Sequence, residues 1–346
     1  MKKSVLSFLI LVCPLALVYA QGNLSAPGAS QKAEVSQRIG ITDITIKYSS
    51  PLVKGRMIWG ELVPFGEVWR AGANENTVIS FSTPVTIEGK NLPAGKYGLH
   101  MIPRKDKWTI IFSSDYQSWG SYFYKESEDA LRVEVSPEAA PMQEWLSYRF
   151  TDPKSSSVKL MMNWEKVGVG FLIQVDVPQT VLASMRQELR GQKYYSWEGP
   201  YQAADFSLKN KMNLEEAMTW IDHSIDLKET FANLNVKSEL LRLKGDNAGA
   251  DKVKNRALEV ADEQQLNTYG YQLLAADKKQ EAIDIFKINV KRYPNSWNVY
   301  DSLGDAYNQN GNYKEALSNY KTALSKAPDA QKKRITTEIE KIEKKL

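Results

Sequence analysis

The chain has 346 residues, a hydrophobic content of 42% and a formal net charge of +4 at pH 7. This length allows two domains with separate cores, and the ordinary composition excludes a fibrous or wholly disordered chain. The small charge excludes the strongly basic character of a nucleic-acid-binding protein, so no nucleic-acid partner is expected.

The first 20 residues have the pattern of a secretory signal peptide. Two lysines precede an apolar run over residues 5–18, and Val18, Tyr19 and Ala20 form an acceptable cleavage site. We therefore expect the mature chain to begin at Gln21 and to be exported, either to the periplasm or outside the cell. The rest of the sequence contains no apolar run long enough to span a membrane.

Cys13 is the only cysteine and lies inside this segment. Cleavage would leave a mature chain without disulfides, a cysteine nucleophile or a cysteine metal site. A lipoprotein would need a small residue just before Cys13, where Val12 stands. Neither a histidine pair nor a cluster of oxygen ligands predicts a metal site, and no cofactor is expected.

After a linker rich in Gly, Ala, Ser and Pro over residues 21–30, apolar and polar residues alternate up to residue 177. A period of two is typical of half-buried strands. Strands are predicted near residues 39–48, 77–81, 85–88, 97–102, 108–112, 131–135, 146–150, 158–164 and 167–175. Because no helical pattern intervenes, an antiparallel β-sandwich is predicted over residues 31–177, with a barrel as the alternative.

Residues 49–76 follow neither a helical nor a strand period. Three glycines and two prolines interrupt regular structure, whereas Trp59, Phe65 and Trp69 carry too much apolar surface to remain in water. Loops of this length are usually functional or disordered, and the aromatic residues argue against disorder. We therefore expect a long ordered loop.

The stretch SPLVKGRMIWGELVPFGEVWRAGANENTVISFS, followed by LPAGKYGLHMIP and WTIIFSSDYQSWG, resembles an exported bacterial family known as domain of unknown function 2911. The resemblance covers about residues 31–177. It implies a β-rich periplasmic domain and names no reaction.

Several side chains of this domain are candidates for ligand binding. Arg70 lies close in sequence to three polar residues, and this group forms either a ligand site or an internal ion pair between Arg70 and Glu75. The tryptophans could stack on sugar rings or peptide side chains, or fill the core. The candidates are Trp59, Trp69, Arg70, Asn74, Glu75, Asn76, His100 and Trp119.

Catalysis by this domain is the competing hypothesis. His100 is its only histidine and would have to serve as the base of a serine hydrolase, although a lone histidine in a strand is more often structural. A glycosidase would need two carboxylates beside a cleft, for which Glu61, Glu67 and Glu75 are the nearest candidates. No catalytic residue is assigned.

The pattern changes after residue 177. Residues 178–199 are predicted to be a linker that contains a short helix, and the chain then repeats itself with a period of 34 residues. The repeated positions resemble the tetratricopeptide repeat. They are Leu303, Gly304, Tyr307, Gly311, Tyr313, Ala316, Tyr320, Ala323 and Pro328, with Gly270, Ala282, Phe286 and Pro294 one period earlier.

This resemblance implies an all-α solenoid over residues 200–346, with three to four repeats and a charged capping helix from residue 330. Such arrays usually hold a peptide or protein on the first helices of their repeats. In register, the predicted groove consists of Asn267, Tyr271, Asn298, Asp301, Asp305 and Asn308. Its aspartates argue against a C-terminal carboxylate as the partner and favour a neutral or basic segment.

Two classes of function follow. The first is an exported, non-catalytic protein-binding scaffold, with a further site for a small molecule or glycan on the β-domain. The second is an envelope hydrolase or carbohydrate-active enzyme whose site lies on the β-domain loops. The observation that separates them is whether Arg70, Glu75 and His100 converge in an open pocket.

Overall fold

The computed structural model describes residues 28–346, so the predicted signal peptide and most of the first linker lie outside the described residues. The chain divides into two compact units at residue 177. The first is the β-domain, residues 28–177, and the second is the helical unit, residues 178–346.

The β-domain contains ten strands in its described residues. They are β1 (Gln31–Ile39), β2 (Thr42–Ser50), β3 (Thr77–Phe81), β4 (Val85–Ile87), β5 (Lys90–Leu92), β6 (Gly95–Ile102), β7 (Trp108–Ser113), β8 (Asp129–Val135), β9 (Glu138–Lys154) and β10 (Ser157–Gln174).

These strands form two antiparallel sheets. The six-stranded sheet has the order β1-β2-β3-β6-β7-β8, and the four-stranded sheet has the order β5-β4-β10-β9. One core lies between them, where Phe112 of β7 meets Phe171 of β10 at a ring separation of 5.4 Å. The prediction of a β-sandwich is therefore confirmed, and the barrel alternative is not needed.

The predicted strand over residues 39–48 is wrong in its bounds. The chain turns at Gly40, whose φ of +56° is a conformation that glycine adopts without strain. The turn joins β1 to β2 as a hairpin with Gln31 opposite Ser50. Most of β1 is half-buried or exposed, so its composition did not show the apolar alternation by which the other strands were recognised.

Two predicted strands, 158–164 and 167–175, are a single strand, β10. Glu165 has a φ of +55°, and the pairing register with β9 shifts on both sides of it. Such an irregularity bends a strand and reverses the parity of the residues that follow. The inward side chains therefore change from even numbers, such as Trp164, to odd numbers, such as Val169.

The helical unit contains ten α-helices. They are α1 (Val177–Glu188), α2 (Glu198–Asn210), α3 (Leu214–Leu227), α4 (Phe231–Leu243), α5 (Asn247–Val260), α6 (Glu263–Ala275), α7 (Lys279–Arg292), α8 (Trp297–Gln309), α9 (Tyr313–Lys326) and α10 (Asp329–Glu343). From α2 to α9 they form four consecutive pairs, and α10 follows as the cap.

Close contacts explain the 34-residue period. A Cβ placed on Gly270 of α6 would lie 2.5 Å from the Phe286 ring of α7, and one on Gly304 of α8 would lie 2.8 Å from the Tyr320 ring of α9. These two pairs, α6 with α7 and α8 with α9, therefore each pack an aromatic ring directly against a glycine backbone. This geometry confirms tetratricopeptide-like helix pairs, because both glycines sit at the same repeat position.

Residues 178–199, predicted to be a linker with a short helix, contribute to the core of the helical unit. Leu182 of α1 is fully buried and Leu189 is nearly so, and both pack in one cluster with Ala203 and Trp220. The Tyr194 ring stacks on His223 of α3 at 4.0 Å. The first helix therefore covers the apolar face that the first repeat would otherwise expose.

Candidate functional site

The loop that connects β2 to β3, residues 51–76, contains neither helix nor named strand and is held by backbone hydrogen bonds. The Trp69 amide donates to the Met101 carbonyl at 2.8 Å, and the Met101 amide donates back at the same distance. Gly66 donates to Pro103, and Leu146 donates to Pro51. The loop is therefore tied to both sheets and is ordered, as predicted for residues 49–76, although Ser49 and Ser50 belong to β2.

Two of the candidate tryptophans, Trp59 and Trp69, are partly buried and pack against the core. Trp59 packs its edge against Trp69, Trp108 and Trp164, with ring separations of 5.6, 4.8 and 5.8 Å, respectively. Trp69 stacks on Trp164 at 5.9 Å with an interplanar angle of 16°. Trp119, by contrast, is 54% exposed. The structure therefore does not bring the three candidate tryptophans together as one stacking platform.

The expected ion pair between Arg70 and Glu75 does not form. Glu75 instead pairs with Lys32 of β1, with 3.0 Å between the carboxylate and the ammonium. Its own backbone amide and then Lys32 lower the pKa of this carboxyl. The prediction was wrong because β1, which supplies Lys32, was not recognised in the sequence.

The two asparagines beside Glu75 shape the same corner of the loop. Asn74 has a φ of +58°, a left-handed conformation that asparagine tolerates better than most residues. Asn76 is buried, and its side-chain amide donates to the Asp115 carbonyl at a long distance of 3.4 Å. Its carbonyl oxygen is buried without a partner among the described residues.

Arg70 lines two cavities of the β-domain. One has a volume of about 270 Å³ and includes Trp164, and the other has a volume of about 290 Å³ and includes Ser121. No ion pair to Arg70 is found within residues 28–346, and its buried Nε has no hydrogen-bond acceptor there. Lys54 and Arg56 line the first cavity, although the sequence analysis did not select them. Their position in the same irregular loop was the available signal.

His100 is buried, with 2% of its surface exposed. Burial lowers the pKa of its imidazole to about 4, against the smaller opposing effect of Asp129 and Asp115. Its Nδ1 lies 3.2 Å from Ser121 Oγ, and its ring contacts Tyr124 at 5.2 Å. The imidazole is therefore neutral at physiological pH and packs inside the sheet.

Arg70, Glu75 and His100, whose convergence in an open pocket would favour the hydrolase hypothesis, do not meet. Arg70 lines a cavity, Glu75 pairs with Lys32, and His100 lies beneath the surface, so the three do not converge. Asp129, the carboxylate with the largest effect on His100, accepts hydrogen bonds from Tyr124 and Arg132. Glu61 and Glu67 are exposed.

In the helical unit, the aspartates of the predicted groove have partners within the chain. Asp301 of α8 is 5% exposed and accepts a 2.6 Å bond from the Arg334 guanidinium of α10. Burial raises the pKa of Asp301, and Arg334 partly offsets the effect. The capping helix therefore supplies a cation to Asp301, one of the two aspartates that were expected to favour a neutral or basic partner.

Asp305 is bonded by two phenols. Tyr271 of α6 donates to one oxygen at 2.7 Å, and Tyr320 of α9 donates to the other at 2.6 Å. Burial raises the pKa of both phenols, so both remain protonated as donors at neutral pH. Tyr271 and Asp305 are 34 residues apart, and this bond therefore joins equivalent positions of neighbouring helix pairs.

The asparagines of the predicted groove differ from one another. Asn308 accepts a bond from the Lys345 ammonium at 3.1 Å. Asn267 has a buried carbonyl oxygen without a partner among the described residues. Asn298 is half-buried at the start of α8. The six predicted residues therefore share one series of first helices, and at least half of them are used for internal bonds.

Two kinds of feature are not found within residues 28–346, namely a cluster of metal-ligating side chains and a membrane-spanning helix. No group of three His, Cys, Asp or Glu side chains lies close enough together there to hold a metal ion. No helix in this range has both the length and the hydropathy of a membrane span.

Comparison with protein families finds a similarity that lies within the β-domain. Residues 30–173 match a family model described as a protein of unknown function, DUF2911. This match agrees with the resemblance drawn from the loop and the strands around it. A search of curated proteins gave no match.

Comparison with solved structures finds tetratricopeptide-repeat proteins. YrrB, described as a tetratricopeptide-repeat protein with an unusual peptide-binding site, is 19% identical, with a TM-score of 0.26 over 44% of this chain and 79% of its own. MamA from Desulfovibrio magneticus RS-1 is 17% identical, with a TM-score of 0.27 over 44% of this chain and 84% of its own. Part of a tetratricopeptide-repeat protein from Cytophaga hutchinsonii is 18% identical, with a TM-score of 0.30 over 44% of this chain and 60% of its own. The helix pairs described above define this class for residues 198–326.

Proposed function

We propose that this protein is an exported, non-catalytic scaffold of the bacterial cell envelope whose helical unit binds a peptide or protein. The observation that supports the proposal is the bond between Tyr271 and Asp305, which places the first helices of two successive pairs side by side. Side-by-side first helices form the extended surface that repeat proteins use for binding.

The chemistry of this surface favours a partner that is not strongly basic. Asp301 and Asp305 are already bonded to Arg334, Tyr271 and Tyr320, so they offer little free negative charge to a ligand. The second residues of the first helices α6 and α8, Gln264 and Asn298, have polar, uncharged side chains. A segment that presents backbone and amide groups fits them better than a run of lysines.

Site-specific photocrosslinking tests the surface. The mature chain carries p-benzoylphenylalanine at position 298 on α8, or at position 318 on α9 as the control, and each protein is irradiated in envelope extract. Asn298 is half-buried on a first helix, whereas Ser318 is exposed on a second helix. We expect a discrete adduct from position 298 alone. Equal labelling from both positions, or none from position 298, would remove the first helices as the binding surface.

Export is tested by the mass of the native protein. We expect material purified from the envelope fraction to begin at Gln21, because the lysines, the apolar run and Ala20 match a cleavable signal. Intact mass measurement and an N-terminal peptide map give the result directly. An intact Met1 on that material would contradict the proposal of export with cleavage.

A further inference from the structure

We propose that the cavity beside Lys54, Arg56 and Arg70 in the β-domain binds a small organic carboxylate whose body is apolar or ring-shaped. This proposal concerns the first unit and does not depend on protein binding by the helical unit. We name this space the arginine cavity. Its lining residues are Ala29, Ser30, Pro51, Leu52, Lys54, Arg56, Leu62, Val63, Trp69, Arg70, Gly72, Ala73 and Trp164.

The charges of the lining residues indicate that the ligand is an anion. Three of the lining side chains are cationic and none is a carboxylate. The carboxylate of Glu144 accepts a 2.9 Å bond from the Lys54 backbone amide, but Glu144 does not line the cavity. Positive groups gathered in a partly enclosed space raise the local concentration of anions.

Arg56 is held in position by the backbone. Its Nε donates to the Val53 carbonyl at 3.0 Å, and one terminal nitrogen donates to the Leu52 carbonyl at 2.5 Å. These carbonyls fix the guanidinium and leave its charge without a carboxylate partner. A planar guanidinium that is already oriented binds a carboxylate at a lower entropic cost than a free one.

Arg70 provides the second independent observation. Its Nε is buried and has no acceptor within residues 28–346. A buried donor without an acceptor costs about 1 to 3 kcal/mol. The indole Nε1 of Trp164, which is 1% exposed and also lines the cavity, is unpaired in the same way. An anion beside the Arg70 guanidinium would offset this uncompensated positive polarity.

The uncharged residues of the cavity lining indicate what the rest of the ligand is like. Trp69 and Trp164 are stacked, and Leu62 and Val63 lie in the same lining. This combination of apolar surface and a few charged groups is typical of small-molecule sites. The volume of about 270 Å³ suits a molecule of the size of an aromatic or sugar acid.

Calorimetry on the mature chain tests the proposal with named probes. Phenylacetate and galacturonate are carboxylates with a ring-shaped body, phenylacetamide is the neutral counterpart, and inorganic phosphate is an anion without such a body. We expect at least one ring carboxylate to bind at least about tenfold more tightly than both phenylacetamide and phosphate, because it satisfies both the charge and the apolar wall. If phosphate binds as tightly as both carboxylates, or if neither carboxylate binds, the proposal is wrong.

Substitutions inside and outside the arginine cavity test whether the carboxylate binds there. Arg56→Gln and Arg70→Gln should each weaken binding of the preferred carboxylate at least about tenfold. Arg149→Gln, which changes an exposed arginine of β9 outside the cavity lining, should leave binding unchanged. Arg56 is itself exposed, so its variant is expected to fold even if the Arg70 variant does not. Unchanged binding in Arg56→Gln, or an equal loss in Arg149→Gln, would overturn the assignment to the arginine cavity.

Discussion

At the scale of single residues, the charged side chains of this protein serve different purposes that their residue types do not reveal. Arg334 and Asp301 form a partly buried internal pair, whereas Arg70 faces a cavity without a carboxylate partner. His100 shows the same point for a titratable group, because burial makes it a neutral core residue. The surroundings of each group therefore decide its role.

Replacement of Arg334 by methionine should destabilise the helical unit. Asp301 would keep its buried carboxylate and lose its cation, which costs about 1 to 3 kcal/mol for a buried acceptor without a partner. The matched control is Arg256→Met, whose partners Glu229 and Glu259 are far more exposed than Asp301, and we expect a smaller loss of stability there. Chemical denaturation at pH 7 of both variants and the parent measures the difference. An equal loss of unfolding free energy in the two variants would show that the pair of Arg334 and Asp301 contributes no more than an exposed ion pair.

The same Arg334→Met variant has an expected dependence on pH. Burial already raises the pKa of Asp301 in the folded protein, and removal of Arg334 raises it further. A raised carboxyl pKa means that the folded state holds the proton more tightly than the unfolded state, so ionisation opposes folding. The difference in unfolding free energy between the parent and the variant should therefore shrink as the pH falls from 7 towards the ordinary aspartate pKa of about 3.9. A difference that stays constant over this range would exclude Asp301 as its source.

His100 should make the β-domain less stable in mild acid. Its pKa falls from 6.5 in the unfolded chain to about 4 in the folded domain. Below 6.5 only the unfolded state takes up the proton, so stability is lost as the pH falls towards 4. Between pH 7 and pH 5, we expect the parent to lose about 2 kcal/mol more than His100→Gln does. Denaturation followed by tryptophan fluorescence measures both, and parallel losses would contradict the prediction.

At the scale of the elements, β10 shows how one residue changes the packing of a whole strand. Glu165 adopts a left-handed conformation and separates an even-numbered inward set from an odd-numbered one. Without this irregularity, one half of the strand would turn its apolar side chains towards solvent. In the sequence, the apolar positions change from even to odd numbers near Glu165, and this change was equally consistent with two separate strands.

The conformation of Glu165 can be tested by two substitutions that both remove its bond to the Lys166 amide. Glu165→Gly should be more stable than Glu165→Ile by about 1 to 2 kcal/mol, because glycine accepts a positive φ and a β-branched side chain does not. Thermal unfolding of the two variants provides the comparison. Equal stability, or a more stable isoleucine variant, would contradict a left-handed residue at this position.

At the scale of the whole molecule, each unit has its own hydrophobic core. The core cluster of the β-domain contains only residues up to Val177, whereas the clusters of the helical unit begin at Leu182. A chain with separate cores is expected to yield fragments that fold alone. Residues 178–199 belong to the helical unit, because Leu182 and Leu189 are part of its core.

Two fragments test this assignment. Fragment 178–346 should melt at least about 4 °C above fragment 200–346, because the shorter one loses the buried Leu182 and exposes the apolar face beneath α1. Circular dichroism at 222 nm follows both. If the two fragments melt at the same temperature, residues 178–199 act as a linker, as the sequence had suggested.

The sequence by itself determined the features that depend on local spacing. Alternation with a period of two indicated the β-domain, and glycine, alanine and aromatic residues repeated every 34 residues indicated the helix pairs. These patterns are readable because each element must bury one face, whatever its neighbours are. The ordered character of residues 51–76 followed from the same reasoning about apolar area.

Only the tertiary structure decided which polar groups meet. Glu75 pairs with Lys32, 43 residues away in the sequence, because β1 lies beside β2 in the sheet. Asp301 pairs with Arg334 because α10 packs after the last helix pair. Ionic contacts depend on strand order and helix stacking, which sequence spacing does not encode. For the same reason, sequence spacing does not predict the arginine cavity, which forms where Trp164 of β10 lies beside a loop about 100 residues earlier in the chain.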